Sequence, residues 1–334
     1  MGKLIPLYRS EMPLIRRDMG DVMNVEYSER TQFWGPAFIQ SSLVMVYAPR
    51  GVGKTFFVLK LSHALATGSQ FLKWEGPRKR LKIVIFDGEM GDQGIASRMH
   101  MIEGSSPNSM DFRSVFLVNY KDCGGEMWNL SNPKDQDLYE REIEGCDVVV
   151  VDNLLTCSRA MGNRDEEFSQ WTRVQPFLIR LREAGKMVVL VHHAGKATDR
   201  GSYGTSLKEN IMDTIVGLKP MPNDSGFELR WEKLRNTPSS ECPNLYVNMQ
   251  TDSLQNLTWD WCSLEDRLRQ QILTMHACGT KPREIAEILQ VSRSRVAKMI
   301  SDYAPKETSD GEPKGSQMAW HQRVLEENDD REPF

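Results

Sequence analysis

A glycine-containing turn between an apolar strand and a helix has the residue types that bind a triphosphate. The segment from Ala48 to Thr55, APRGVGKT, follows the apolar run 42–47 and opens a helical pattern over 54–66. Backbone N–H groups at a helix start bind anions, and glycines let the backbone approach phosphate oxygens. The predicted nucleotide-binding residues are Ala48, Pro49, Arg50, Gly51, Val52, Gly53, Lys54, Thr55 and Phe56.

Lys54 and Thr55 have separate predicted roles in this phosphate-binding loop. A lysine here reaches the β- and γ-phosphates of ATP, and a hydroxyl group here is a ligand of Mg²⁺. The usual motif, G-x-x-x-x-G-K-[ST], begins with glycine, whereas this chain has Ala48. Because that position marks the exit of the strand and not the phosphate cradle, we expect the methyl group to be tolerated.

Acidic residues end two other apolar runs. Asp152 closes the run VVVVD, and a carboxylate at the carboxyl end of a buried strand can hold the water shell of Mg²⁺. Asp87 and Glu89 follow the run 81–86 in the segment IFDGEMG. Residues two apart on a strand point to the same side, so position alone leaves both acids as candidates for the base that activates water.

His193 follows the fifth apolar run, in VLVHHAGK. A polar side chain at this point can contact the γ-phosphate of ATP and relay its presence to the loop that follows. A histidine with a purely structural role is the alternative.

Strands and helices must alternate to bring these residues together. Such alternation predicts a parallel sheet with helices on both faces, and nearly continuous apolar strands are typical of a sheet covered on both faces. We therefore expect an α/β fold with a doubly wound, mostly parallel sheet and an antiparallel extension after residue 212. The predicted strands are 42–47, 81–86, 115–118, 147–151 and 187–191, with 214–218, 227–234 and 245–249 in the extension.

The pattern becomes purely helical over 263–303. Pro282 marks a helix start, Ser292 is a predicted N-cap, and apolar residues recur on one face of both helices. This predicts a helix-turn-helix in a small all-α domain, although Gln290 occupies a turn position where glycine is common. The predicted divisions are an N-terminal arm (1–34), an ATPase core (35–258), a helix-turn-helix domain (259–305) and a disordered acidic tail (306–334).

The composition excludes several classes of protein. A net charge of −4 over 334 residues means that the whole chain is not a strongly basic nucleic-acid binder. The six cysteines are scattered, without the spacing of a zinc site. No apolar run approaches the roughly 20 residues of a membrane helix, and residues 1–17 lack a signal-peptide core. We therefore expect a cytoplasmic protein with no membrane partner.

Together these segments resemble the RecA-like P-loop ATPases, and within them the DnaB/RepA-type hexameric helicases of plasmids and phages. The segments APRGVGKTFF, IFDGEMG with SRM, VVVVDN, and VLVHHAGK with RGS follow the order of that group's motifs over about 35–250. The resemblance implies a RecA-like fold, with Glu89 as the catalytic base, Asp152 as the Walker B carboxylate and His193 as the sensor residue. Arg98 lies where this group often has an arginine.

Lys233-Leu-Arg235 resembles the K-x-R pair with which such rings reach the ATP of the neighbouring subunit. Residues two apart on a strand share a face, so Lys233 and Arg235 can touch one γ-phosphate together. An arginine finger is worth roughly 10³–10⁵ in rate. The resemblance thus implies a homo-oligomer, a hexamer, whereas the alternative for this pair is a solvated strand face.

Two loops, 154–166 and 194–206, correspond to the loops that face the central channel of RecA-like rings. Cations in such loops can follow a phosphate backbone, and an aromatic ring can stack on a base. The candidates for contact with single-stranded DNA are Arg159, Arg164, Lys196, Arg200 and Tyr203.

The second helix of the helix-turn-helix has an outward face that carries Arg293, Arg295 and Lys298. A recognition helix meets duplex DNA with such a face, and the same fold also serves protein contacts. The features together favour an ATP-driven motor on single-stranded DNA, a ring-forming replicative helicase of a plasmid, phage or mobile element. Two alternatives stay open: an ATP-controlled DNA-binding regulator and a filament-forming recombination ATPase.

Overall fold

The computed structural model describes residues 17–27, 29–158, 164–193, 206–221 and 224–303. The chain divides into two compact units, Met1–Trp261 and Cys262–Phe334. Among the described residues, no helix combines the length and apolar character that a membrane span requires.

Strands and helices alternate through most of the first unit. The strands are β1 (Gln32–Trp34), β2 (Phe38–Ile39), β3 (Leu43–Ala48), β4 (Ile83–Asp87), β5 (Val115–Asn119), β6 (Val148–Asp152), β7 (Met187–His193), β8 (Thr214–Pro220), β9 (Phe227–Leu234), β10 (Leu245–Thr251) and β11 (Leu257–Ser263). The helices are α1 (Met19–Met23), α2 (Lys54–Thr67), α3 (Gly91–Gly104), α4 (Pro133–Ile143), α5 (Leu154–Cys157), α6 (Arg164–Glu183), α7 (Ser206–Ile211), α8 (Leu264–Ala277), α9 (Pro282–Ile288) and α10 (Arg293–Tyr303).

One sheet holds nine of the described strands, in the order β11-β10-β9-β8-β3-β7-β6-β4-β5. The strands from β8 to β5 pair in parallel, and β9 pairs antiparallel with both β8 and β10. The prediction of a doubly wound, mostly parallel sheet with an antiparallel extension is therefore confirmed, except that the segment 214–218, which was assigned to the extension, lies in β8 and pairs in parallel with β3.

Both faces of the sheet are covered by helices. Strands β3, β4 and β6 are buried at every residue, so their alternating side chains enter two separate cores. One core contains apolar residues of α2 and α3, and the other contains those of α4, α5, α6 and α7. Each fully buried aliphatic side chain contributes about 1.5–3 kcal/mol. Packing on both faces thus fixes the positions of the ends of the parallel strands relative to one another.

The last residues of the predicted N-terminal arm lie in a packed hairpin of β1 and β2. Trp34 is fully buried, its indole N–H donates to the Phe71 carbonyl at 3.0 Å, and its ring lies edge-on to Phe38 and Trp74. Polar and proline-rich surroundings conceal these two short strands in the sequence. The division of the chain at 34 and 258 stays a prediction, and the second division point falls within β11.

The second unit contains the predicted helix-turn-helix. Buried apolar residues of α8, α9 and α10 form its core, and Ser292 Oγ accepts from the Arg295 N–H at 3.3 Å, as an N-cap does. Gln290 has a φ of 54°, so it adopts the left-handed conformation for which glycine is common at this turn. The predicted all-α domain is confirmed, and the predicted tail 306–334 lies outside the described residues.

Candidate nucleotide site

The phosphate-binding loop joins β3 to α2 at the carboxyl edge, which is the edge of the sheet where the parallel strands end. Gly51 and Gly53 have φ of 84° and 97°, a region that favours glycine. Helix α2 starts at Lys54 without a side-chain cap among the described residues. Its first N–H groups are therefore available to an anion, and a triphosphate fits this position.

The Lys54 side chain lies buried over the same loop. Its Nζ donates to the Pro49 carbonyl at 3.2 Å. Burial lowers the pKa of Lys54, while the charges of Asp152 and Glu89 act in the opposite direction. A buried cation bonded to a neutral carbonyl gains strongly from an anionic partner, and the phosphates of a nucleotide would supply one.

Asp152 is a buried carboxylate beside the start of α2. The pKa of Asp152 is raised to about 6: burial raises it most, a hydrogen bond from Thr55 lowers it, the charges of Glu89 and Asp87 raise it, and the charge of Lys54 lowers it. Asp87 is close because it is the register partner of Asp152 in the β4–β6 pair. The ionised form of Asp152 is therefore costly in the absence of a cation.

Thr55 and Asp152 are the residues that would hold Mg²⁺ in this site. The described residues contain no group of three or more His, Cys, Asp or Glu that could hold a metal ion. A magnesium ion that is bound with nucleotide takes few protein ligands and keeps phosphate and water oxygens around it. One hydroxyl group and one buried carboxylate with a raised pKa fit such an ion.

The contacts of the two acids after β4 differ. The Asp87 carboxylate accepts from the backbone N–H groups of Glu89 and Met90 at 3.1 Å and of Gly91 at 2.6 Å, so it fixes the start of α3. The Glu89 side chain is 39% exposed and lies 3.0 Å from His193 Nε2. Because Asp87 is committed to the backbone, the geometry favours Glu89 as the group that can reach a water molecule.

Asn153 was not among the residues that the sequence singled out for a role. Its Nδ2 donates to the Glu89 carboxylate and lies 3.1 Å from His193 Nε2. Its Oδ1 accepts from Thr156 N at 3.0 Å, which fixes the amide orientation. The available signal was a second polar residue directly after the buried run VVVVD. Glu89, Asn153 and His193 thus form one hydrogen-bonded cluster at the carboxyl edge.

His193, a member of this cluster, lies next to the phosphate-binding loop, and Arg98 lies near the acids of the site. His193 is the register partner of Ala48, the last residue of β3, so the predicted sensor position adjoins the phosphate-binding loop. The Arg98 guanidinium stacks 4.4 Å from the centre of the Phe56 ring. Burial lowers the pKa of Arg98, and the charges of Asp152, Asp87 and Glu89 raise it. The positive charge of Arg98 therefore faces the acidic side of the site.

Lys233 and Arg235 share a surface, as predicted, but they lie at the amino edge, where the parallel strands begin. The Arg235 N–H donates to the Asp213 carbonyl, and the Asp213 N–H donates to the Leu43 carbonyl. Arg235 is thus level with the first residue of β3, roughly 17 Å along the strand from the loop that follows Ala48. Neither cation takes part in the site of its own chain.

The predicted DNA contacts fall partly outside the described residues. Arg159, Lys196, Arg200 and Tyr203 lie outside them, as does the side chain of Arg164.

On α10, the three predicted cations are exposed. Arg295 pairs with Glu265, and Arg293 lies 3.7 Å from Glu287. Lys298 completes the cationic face of this helix.

Comparisons with known proteins give two family matches and many similar solved structures, of which two are described below. Residues 9–199 match the family described as AAA domain, and residues 263–312 match the Homeodomain-like domain. No curated protein matches the chain.

The first similar structure is a KaiC-like protein from the hyperthermophilic archaeon Pyrococcus horikoshii OT3. It is 14% identical with a TM-score of 0.47, and the match covers 67% of this chain and 91% of that one. The RadB recombinase is 16% identical with a TM-score of 0.47, and the match covers 64% and 89%. Both likenesses are too distant to indicate what this chain binds.

The AAA domain match spans more than half of the chain. It includes the phosphate-binding loop, Glu89, Asp152 and His193, which the sheet brings to one edge. The chain belongs to the AAA domain family, and its core is a doubly wound sheet with a phosphate-binding loop at the carboxyl edge.

Proposed function

We propose that this chain hydrolyses Mg-ATP and works as a homo-oligomeric motor on single-stranded DNA, as a ring-forming replicative helicase of a plasmid, phage or mobile element. The observation that carries the proposal is the cluster of Glu89, Asn153 and His193 beside the phosphate-binding loop. A partly exposed carboxylate held by two polar side chains next to a triphosphate site is suited to orient and deprotonate a water molecule.

Each residue at the carboxyl edge has a distinct role in this proposal. Lys54 binds the β- and γ-phosphates, and Glu89 accepts the proton of the attacking water. The chemistry that bound Mg²⁺ supplies is the neutralisation of charge on the phosphate oxygens, with Thr55 and Asp152 as its protein ligands. His193 contacts both Glu89 and Asn153, so loss of the γ-phosphate would change the bonding of this ring.

Lys233 and Arg235 are the residues that support an oligomer in this proposal. Both lie too far from the site of their own chain to contact its nucleotide, and the Arg235 side chain is 41% exposed. A guanidinium at a subunit interface can stabilise transition-state charge in the neighbouring site. This role requires a second copy of the chain, which supports a ring or a filament over a monomer.

Strand displacement and ATP turnover test the proposal together. We expect single-stranded DNA to stimulate hydrolysis and the wild-type chain to displace a labelled strand from a forked duplex. Glu89→Gln should bind a fluorescent ATP analogue but neither hydrolyse ATP nor displace the strand. Glu75→Gln makes the same change at an exposed acid and should behave as wild type.

Two results would count against this proposal. Hydrolysis without DNA stimulation and without strand displacement would exclude the motor. Normal turnover by Glu89→Gln would remove Glu89 as the base and leave Asp87 to be tested.

A DNA-binding regulator is the second candidate, and the cationic face of α10 favours it. A regulator would bind duplex DNA with sequence preference and lose that binding in Lys298→Ala, with no strand displacement. In electron micrographs with ATP analogue and single-stranded DNA, closed rings support the helicase. Open filaments would support a recombination ATPase.

A further inference from the structure

A buried carboxylate, Asp213, organises the amino edge of the sheet. It lies between α7 and β8, and its side chain is 5% exposed. One carboxylate oxygen accepts from the Leu43 N–H at 2.9 Å and lies 3.8 Å from Arg182 Nη1. The other oxygen accepts from Arg235 Nη1 at 3.0 Å. A single side chain thus joins Arg235 to the first residue of the strand that ends in the phosphate-binding loop.

The Arg235 guanidinium is hydrogen-bonded within its own chain and is also partly exposed to solvent. Its Nη2 donates to the Asn210 carbonyl at 2.7 Å, and its Nη1 donates to Asp213. These bonds engage two of the five N–H donors of a guanidinium. Because the planar group is oriented in advance, little conformational freedom is lost when the remaining donors meet an oxyanion.

Lys233 has a different environment, although it shares the surface with Arg235. Its Nζ donates to the carbonyls of Glu209 and Asn210 at the end of α7. Burial lowers the pKa of Lys233, and the charge of Arg235 acts in the same direction. A lysine that satisfies the last carbonyls of a helix stabilises that helix end, so its ammonium group is already committed within its own chain.

We propose that Asp213 is a positioning residue that holds the Arg235 guanidinium ready for the γ-phosphate in the neighbouring subunit, and that Lys233 anchors α7 and takes no part in that contact. The inference rests on the trans action of the K-x-R pair in the proposed function. It goes further by giving the two cations separate roles and by naming the group that orients one of them.

Mixing of variant subunits tests this assignment. Arg235→Ala keeps an intact phosphate-binding loop but lacks the arginine, so it can act only as the acceptor of a neighbour's arginine. Lys54→Ala has a defective loop but an intact Arg235, so it can act only as the donor of the arginine to a neighbour's site. We expect each variant to be inactive alone and an equimolar mixture to recover about one quarter of the wild-type rate, because random assembly places a donor beside an intact loop at about one interface in four.

Asp213→Asn should still accept an arginine from a neighbouring subunit but should no longer donate its own Arg235 effectively. Its own loop is intact, so Lys54→Ala subunits should rescue it as they rescue Arg235→Ala. The double variant Lys54→Ala, Asp213→Asn should fail to rescue Arg235→Ala, with at least a tenfold lower rate than the Lys54→Ala mixture. A purely structural role for Asp213 would instead make Asp213→Asn a poor acceptor as well. Asp137→Asn, the same change at an exposed residue, should leave donation unchanged.

Two further donors keep the test decisive if Asp213→Asn does not fold. Lys54→Ala, Arg235→Lys retains the positive charge but lacks the fork that spans Asp213 and Asn210, and it should fail to donate. Lys54→Ala, Lys233→Met should donate.

Each failure has a separate meaning. Rescue by the Asp213→Asn donor, or by the Arg235→Lys donor when Asp213→Asn is unfolded, would overturn the positioning role. Loss of donation in the Lys233→Met donor would overturn the separate roles of the two cations. A wild-type rate for Arg235→Ala alone would remove the trans action itself, and with it this part of the proposed function.

Discussion

The charged residues at the two edges of the same sheet differ in whether they are paired within the chain. At the carboxyl edge, Asp152 is a buried acid beside two other acids, and Lys54 is a buried cation bonded only to a carbonyl among the described residues. At the amino edge, Asp213 is also a buried acid, but it is paired with Arg235 and bonded to a backbone N–H. One edge leaves its charges for a ligand, and the other satisfies them within the chain.

This difference distinguishes a binding site from a scaffold by bonding and not by residue type. Both edges contain buried aspartate and basic side chains, and the sequence does not separate them on composition. Buried ionised groups cost several kcal/mol of folding free energy unless they are paired. Charged groups left unpaired at one edge are therefore expected where a bound ligand pairs with them. At the carboxyl edge, that ligand is the nucleotide.

The largest effect that we expect is from Lys54→Ala. Without the ammonium group, the phosphates lose their buried cationic partner, and ATP turnover should fall below detection. The amino edge should be unchanged, so this variant should still form oligomers of wild-type size. ATP turnover and light scattering measure the two properties, with Lys79→Ala as the control at an exposed lysine. Measurable turnover by Lys54→Ala would mean that the uncapped helix start binds and activates the phosphates alone.

Arg235→Ala should reduce turnover by about 10³-fold, the lower range for an arginine finger. Nucleotide binding should be retained because Arg235 lies at the opposite edge from the loop of its own chain. Turnover and the affinity for a fluorescent ATP analogue provide the measurements. Arg230→Ala is the matched control, since Arg230 is an exposed arginine on the same strand. Equal losses in both variants would point to a general effect on β9.

Asp152→Asn should make the nucleotide-free protein more stable, although it removes a predicted magnesium ligand. Burial raises the pKa of Asp152 from its ordinary value to about 6. The folded state therefore binds the Asp152 proton more tightly than the unfolded state does. This contribution to stability is complete below about pH 4 and is lost as the pH rises through 6. A shift of about two units corresponds to at most about 3 kcal/mol.

Urea unfolding of both proteins at pH 4.5 and pH 8 checks this expectation. The variant should gain stability over the wild type as the pH rises, and the gain should disappear when Mg-ATP is added to the wild type. Asp213→Asn is the contrasting variant, because it breaks a paired carboxylate and should be destabilised. An Asp152→Asn protein that is less stable than wild type at pH 8 would contradict the difference between the two edges.

Periodic sequence signals predicted the scaffold but not the contacts between distant strands. The alternation of apolar strands and helices identified the strands that precede Lys54 and Glu89 and the strands that end at Asp152 and His193, because each strand end is a local feature. The sequence could not decide whether Asp87 or Glu89 is the base, because the two acids are two residues apart at the end of one strand and point to the same side. The three backbone N–H groups bound by Asp87, and the contacts of Glu89 with His193 and Asn153, distinguish them in the structure.

Position within the sheet was the other feature that the sequence could not supply. The spacing of Lys233 and Arg235 correctly predicted a shared face. Their place at the amino edge depends on the antiparallel pairing of β9 with β8, which the sequence predicted, and on the parallel pairing of β8 with β3, which it did not. Likewise, Trp34 enters the core through two very short strands whose residues read as a polar arm.

Asn153 gives the smallest of these effects and the sharpest test of the cluster at the carboxyl edge. It contacts Glu89 and His193 but is not expected to touch the nucleotide, so Asn153→Ala should leave nucleotide affinity near the wild-type value. Turnover should fall by roughly 10–100-fold, because a base that is displaced by about 1 Å loses about that much rate. Asn153→Asp retains the shape but places a second carboxylate beside Glu89, and it should be at least as slow.

Steady-state kinetics separate this positioning role from a structural one. Asn153 also caps α5 with its side chain, so the thermal midpoint of Asn153→Ala should fall. A loss of maximal rate with unchanged affinity, well beyond the loss that removal of a helix cap causes in the control, identifies Asn153 as a group that orients Glu89. Asn132→Ala is a suitable control, since Asn132 caps α4 with its side chain and should lower the thermal midpoint without a specific loss of turnover. A rate for Asn153→Ala that equals the wild-type rate would mean that His193 alone orients the base, and the cluster would then be reduced to Glu89 and His193.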